Sequence, residues 1–142
     1  MFRRLVTTGL LFLFYMKYTI DIAPKPTPRP RVGKFGTTYP PAYRQYKKDL
    51  NWLVKALRVP KKDYAVLHVE FGFPYAKSTP KKDRIEGKPM RVKCDLDNTE
   101  KGIMDALEKM GVLDNDAQIC GKLSSKCWTN TGGYIRFSLY EL

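Results

Sequence analysis

From Lys17 to Ile22 apolar Tyr18, Ile20 and Ile22 alternate with polar residues, and this period of two predicts a strand. Residues 24–34 interrupt the pattern with four prolines and four basic residues and no acid. Such a segment is expected to be extended and solvated, either a linker or a basic arm laid along a phosphate backbone. Between Pro41 and Leu57 the period changes. Tyr43, Tyr46, Leu50, Leu53, Val54 and Leu57 recur at spacings of three and four, which predicts an amphipathic helix with Lys47, Lys48 and Lys55 on its other face and Pro60 beyond its end. Tyr64 to Tyr75 is rich in β-branched and aromatic residues and reads as a long strand, its Tyr and Phe side chains expected in the core.

A second punctuated segment, residues 76–93, carries a net charge of +5. Beyond it Asp97 and Glu100 fit an N-cap and its capping box, Ile103, Ala106, Leu107 and Met110 supply the buried stripe of a second helix, and Gly111 is its stop. Two strands follow, Ala117 to Trp128 and Tyr134 to Leu142. Asn130-Thr131-Gly132-Gly133 between them suits a hairpin turn. No internal repeat is present. The order βαβαββ predicts an α+β single domain, one mixed β-sheet packed by two main helices.

Charge narrows the class of partner. With 26 Lys and Arg against 14 Asp and Glu, the 142-residue chain has a formal charge of +12, while 43 % hydrophobic and 13 % aromatic residues exclude a disordered basic tail. A globular domain this basic most often meets nucleic acid, since clustered Lys and Arg bind phosphates and release counterions; acidic membranes and ribosomes are the other polyanions. Cys94, Cys120 and Cys127 are odd in number and form no C-x-x-C pair, which argues against a disulfide scaffold or structural zinc and for a reducing setting. The one histidine, His68, sits in an apolar run, where a structural role with a hydrogen bond is expected. Catalysis by Ser-His-Asp or His-rich zinc is therefore hard to assemble, and an active site here should be built from carboxylates.

Residues 1–15 resemble the basic and apolar regions of a signal peptide but lead to no small-x-small cleavage site, and their apolar stretch is shorter than the roughly 20 residues that span a bilayer. Met16 offers a second start. Residues 1–15 are accordingly read as a hydrophobic extension upstream of the true start, residues 16–142 as the domain, and no membrane partner is expected.

The carboxylates are concentrated. Between Asp95 and Asp116 seven acids face two bases, a net charge of −5, so the rest of the chain sums to +17. A capping box accounts for one aspartate only. Asp95 and Asp97, two apart in the extended approach to the helix, point to one side. Asp116, beyond the helix's far end, joins them only if the following strand lies beside the Asp95 segment. Three ionised aspartates at one point require a cation, and all-oxygen ligands suit Mg²⁺ or Mn²⁺. Such an ion beside basic segments is an arrangement for cutting phosphodiesters; the bland reading is a capped helix with surface acids. Lys101, at i+4 from Asp97 and i−4 from Asp105, either reaches toward the carboxylates to hold a scissile phosphate or forms a helical salt bridge to Asp105.

Asp95-Leu96-Asp97-Asn98, then Lys101, then Asp105-Ala106-Leu107, then Asp116-Ala117-Gln118-Ile119 resembles the signature of the RusA family of Holliday-junction resolvases, and Pro24 to Lys34 with Tyr39-Pro40-Pro41 resembles the arm of its phage and prophage members. The resemblance covers most of residues 17–142. It implies a homodimeric, Mg²⁺-dependent endonuclease that nicks four-way DNA junctions symmetrically in the cytoplasm of a bacterial host. By the motif, Asp95, Asp97 and Asp116 are the metal-binding catalytic carboxylates and Lys101 the catalytic lysine. The DNA grip falls to Lys25, Arg29, Arg31 and Lys34 in the arm and to Lys77, Lys81, Lys82, Arg84, Lys88, Arg91 and Lys93 in the second basic segment. Two departures stand out: Cys94 occupies a position that is often basic in the family, and Asn115 replaces a frequent second acid beside Asp116. A branched-DNA-binding protein without cleavage, and a nuclease for flaps or RNA, are the competing classes.

Overall fold

The computed structural model describes residues 16–92 and 94–141; the extension 1–15, Lys93 and Leu142 lie outside the described residues. In chain order come β1 (Tyr18–Ile20), a hairpin of β2 (Arg31–Gly33) and β3 (Gly36–Thr38), α1 (Pro41–Leu57), β4 (Ala65–Pro74), α2 (Leu96–Lys109), β5 (Ile119–Thr129) and β6 (Tyr134–Tyr140). The hairpin apart, this is the expected βαβαββ order. Two helices and a mixed four-stranded sheet make the α+β class. The hairpin replaces the last part of the expected structureless arm.

The sheet order is β1-β6-β4-β5, with β4 parallel to β5 and antiparallel to β6. The expected hairpin between the last two strands is therefore absent: β4 lies between them, and residues 130–133 cross over it. The reason is burial. Leu67, Val69 and Phe71 are fully buried on one face of β4, and His68 and Gly72 are buried on the other, so this strand takes the centre, where both neighbours shield it. β5 carries Lys122 and Lys126 and tolerates an edge. At Gly72 even a methyl group would run into the Tyr134 ring in the facing position, so close approach of β4 and β6 requires glycine there.

The core lies between the sheet and the helices. Tyr43, Tyr46, Leu50 and Val54 of α1 and Ile103, Ala106 and Leu107 of α2 bury against Leu67, Val69, Phe71, Ile135, Phe137 and Ile20. Leu53, expected on the buried stripe of α1, is partly exposed. Tyr46 of α1 packs on Gly102 of α2. Among the described residues no helix is long and apolar enough to cross a membrane.

His68 is buried in β4 as expected, but its Nδ1 has no hydrogen-bond partner among the described residues. Burial lowers its pKa from the ordinary 6.5, with Glu70 pulling weakly the other way. The unfolded chain thus takes up a proton that the folded one resists. Stability from the neutral imidazole is full above pH 6.5 and is lost as pH falls through the lower folded-state value. Thermal melts between about pH 7.5 and 5 are expected to show a falling Tm for the wild type and a flatter profile for His68→Val. Equal slopes would remove His68 as the cause.

Candidate active site at the opening turn of α2

The acids of this region sort by their lysine partners. Glu100 is bound by Lys122 at 2.8 Å, Asp114 by Lys61 at 2.9 Å and Asp105 by Lys47 at 3.7 Å. Asp95, Asp97 and Asp116 are exposed and, like Glu108, form no ion pair with a described residue. Among the described residues the motif aspartates are thus left without a cationic partner.

α2 begins at Leu96, which makes Asp95 its N-cap and puts Asp97 in the first turn, where the helix dipole favours negative charge. Asp95 is extended, as expected for the approach to the helix, whereas Asp97 already lies in the first turn, so the pair straddles the start of α2. The expected capping box of Asp97 and Glu100 does not form, and the Asp95 side chain makes no capping hydrogen bond. Buried Thr99 anchors the first turn to the backbone of Asp95. Its N–H and its hydroxyl each donate to the Asp95 carbonyl at 3.1 Å, and Cys94 Sγ lies 3.2 Å from the same hydroxyl. The Asp95 carboxylate is thus not consumed by capping.

Glu100 turns inward. Its side chain is 5 % exposed and accepts from Lys122 Nζ and from Ser124 Oγ. The hydrogen bond to Glu100 raises the pKa of Lys122 above its ordinary value, and Asp97 adds a weaker pull through space. Lys122, Ser124 and Lys126 alternate along β5 and so share one face. The third of them donates to the carbonyls of Cys94 at 2.6 Å and Val92 at 2.9 Å, immediately before Asp95. One face of β5 thus braces the whole opening of α2. Sequence reasoning missed these residues; the signal was the Lys-x-Ser-x-Lys alternation in a strand otherwise expected to bury apolar groups.

Asp116 has a brace of its own. It opens a short 3-10 turn, Asp116–Gln118, capped by Asn115, whose Oδ1 accepts from the Ala117 N–H at 2.8 Å. Gln118 Oε1 accepts from the N–H groups of Asp114 at 2.6 Å and Asn115 at 3.0 Å, while its Nε2 donates to the Asp63 carbonyl at 2.6 Å. The expected capping box exists here rather than at Asp97. Asp114 lines a cavity of about 630 Å³ with Asp105, Glu108 and Lys109, which puts this turn beside the C-terminal half of α2. A helix of this length spans about 20 Å. Within one chain the three aspartates are not gathered: among the described residues no group of three or more His, Cys, Asp or Glu is placed to hold a metal.

Lys101 is exposed and lies one turn beyond Asp97; the expected salt bridge to Asp105 is not formed, because Asp105 pairs with Lys47 of α1. The arm passes close by. The Thr27 N–H donates to the Asn98 carbonyl at 3.0 Å, and its hydroxyl lies 2.6 Å from Tyr43 Oη, which ties the arm to the opening turn; Lys25, Arg29, Arg31 and Lys34 on either side of Thr27 in the chain are all exposed. In the second segment Lys77, Lys81, Lys82, Lys88 and Arg91 are exposed, whereas Arg84 is occupied within the loop, donating to the carbonyls of Thr79 at 2.8 Å and Lys77 at 3.0 Å. Lys93 lies outside the described residues. Glu86 ties this loop to the end of β5, where the Thr129 hydroxyl and the Asn130 N–H hold its carboxyl below the ordinary 4.5. A cleft of about 450 Å³ is lined by Lys88, Pro89, Arg91, Val92 and Trp128.

A family model described as Endodeoxyribonuclease RusA matches residues 21–137. No curated protein matches the chain.

The brace makes a stability prediction. Lys122→Leu leaves Glu100 buried without its cation and is expected to cost about 2–3 kcal/mol, below the usual range for a buried pair because Lys122 is partly solvated. Glu100→Leu combined with Lys122→Leu should recover most of that loss. Urea unfolding of both variants checks it; an additive double mutant would show that the two side chains act independently.

Proposed function

The chain belongs to the RusA endodeoxyribonuclease family, whose members act on branched DNA, and from that premise we propose that it is a Mg²⁺-dependent resolvase that cuts Holliday junctions by paired symmetric nicks. The observation that carries this reading is the charge around α2: Glu100, Asp105 and Asp114 have lysine partners, whereas Asp95, Asp97 and Asp116, the aspartates of the motif, are exposed and, like Glu108, form no ion pair with a described residue. Their donor chemistry fits a hard dication. All three offer carboxylate oxygens, and Cys94, the one soft donor beside them, is engaged with Thr99.

Asp95, Asp97 and Asp116 would hold the ion. Mg²⁺ or Mn²⁺ when bound would supply charge that activates water and stabilises the leaving oxygen. The chain's own residues do the rest. Lys101, exposed beyond Asp97, holds the non-bridging oxygens of the scissile phosphate and offsets the charge that builds on it. Thr99 and Lys126 fix the backbone on either side of Asp95, so that the carboxylates need not reorganise as the substrate arrives. The exposed lysines and arginines of the arm and of residues 76–93 grip the junction through its phosphates, a contact that positions the DNA without reading sequence.

The working unit is a homodimer. A four-way junction needs two paired cuts, and a twofold dimer presents two identical sites. Dimerisation also provides for Asp116, which one chain leaves apart from Asp95 and Asp97: a second copy brings its Asp116 to the opening turn of the first. In a bacterial cell such an activity serves recombination, repair or the processing of phage DNA.

Two measurements test this. On a labelled synthetic junction with Mg²⁺, Asp97→Asn is expected to retain binding and lose nicking by on the order of 100-fold or more; equal nicking by both proteins would take Asp97 out of the mechanism, and an intact junction at saturating wild type would leave a binding protein only. Mixing Asp97→Asn with Asp116→Asn chains is expected to restore nicking, because each mixed dimer then has one site with all three carboxylates intact. Inactive mixtures in which mixed dimers have formed would put the three aspartates in one chain.

A further inference from the structure

The hairpin of β2 and β3 stands apart from the sheet, and none of its residues is buried: Arg31 through Thr38 are all exposed. At its tip Lys34 and Phe35 form the two-residue turn, closed by Gly36 at φ +111°. Phe35 is 98 % exposed and Val32, on the same hairpin, 87 %. An isolated two-stranded hairpin is marginal in water, and a fully solvated Phe at its apex adds nothing to its folding. The conspicuous apolar group is therefore placed for something outside the chain.

The surroundings say what. From Ile22 to Lys48 the chain has seven basic residues and no acid, so the occupant is a polyanion. The hairpin is also tied to the candidate active site, because Thr27, shortly before it in the chain, is hydrogen-bonded to Asn98 in the opening turn of α2. Prolines at 26, 28 and 30 stiffen that link. Even a fully extended chain from Thr27 to Phe35 keeps the tip within about 26 Å of Thr27 and so near that turn. A second copy of the chain is a poor occupant. A Phe side chain offers about 150–250 Å², against about 800 Å² per partner in a stable interface, and two such hairpins meeting would bring like charges together.

We propose that the β2–β3 hairpin is a wedge whose Phe35 stacks on a nucleobase laid bare at the branch point of the DNA, while Arg31 and Lys34 hold the flanking phosphates. The idea rests on the branched-DNA reading above. Paired bases inside a duplex offer no open face, and those at a branch point do, so the aromatic tip contributes selectivity for branched over linear DNA, and the basic residues contribute affinity common to both.

The test uses the full chain without divalent metal, a four-way junction carrying 2-aminopurine at the branch point, and a linear duplex of the same sequence. Wild type is expected to prefer the junction and to change the 2-aminopurine fluorescence. Phe35→Ala should bind the junction roughly 5- to 100-fold more weakly, with duplex binding nearly unchanged and no fluorescence change, and Phe35→Tyr should restore both. Since Phe35 is almost fully solvated, the melting temperature of both variants should match the wild type. An unchanged junction-to-duplex ratio in Phe35→Ala would overturn the wedge, as would conversion of a wild-type dimer to a monomer by this substitution, which would make the tip a contact between copies. A wild type with no preference for junctions would instead overturn the branched-DNA reading itself.

Discussion

Parallel pairing of β5 with β4 constrains the rest of this molecule. Two parallel neighbours cannot be joined by a turn, so the chain must return along the sheet between them, and α2 is that return. The helix therefore runs against the direction of β5. Its first turn comes to rest over the middle and end of that strand, at Lys122 to Lys126, and its last turn points back to where the strand begins. The acidic motif and the polar face of β5 are brought together by this pairing alone.

What meets there is a charge problem with a specific solution. The seven acids crowded between Asp95 and Asp116 would repel one another if all were left solvated at close range. Lysines from three different elements of the chain neutralise those that are structural: Lys122 from β5, Lys47 from α1 and Lys61 from the loop before β4. Glu100 is the extreme case, a nearly fully buried carboxylate that holds helix to strand through Lys122 and Ser124. Asp95, Asp97, Glu108 and Asp116 form no ion pair with a described residue. The basic excess lies outside this region, and about half of it, a net +9, falls on residues 24–34 and 76–93, whose described lysines and arginines other than Arg84 are exposed.

Much of this is legible in the sequence, and the places where it is not are instructive. The stripe of Ile103, Ala106 and Leu107 and the apolar run of β4 are buried as their spacing predicts, because helix and strand periods register burial directly. Asp97 and Glu100 have the spacing of a capping box and do not form one; Glu100 is drawn inward by Lys122 and Ser124 of β5, partners remote in the chain. The terminal hairpin fails for a related reason. Gly132-Gly133 permits a tight turn, but permission is local, and the apolar β4 displaces the neighbour that the turn would have paired.

By itself the sequence determined the two helices, the four strands of the sheet and the class of fold, which follow from periodicity along a single chain, and its motifs pointed to the family. Only the tertiary structure decided which acids are neutralised, that Gln118 and Lys126 brace the motif, that Asp116 stands at the other end of α2, and that Phe35 is held out on a hairpin anchored at the opening turn. Each of these depends on contacts between residues far apart in the chain, and such contacts are set by how whole elements bury their faces. No window of sequence contains that information.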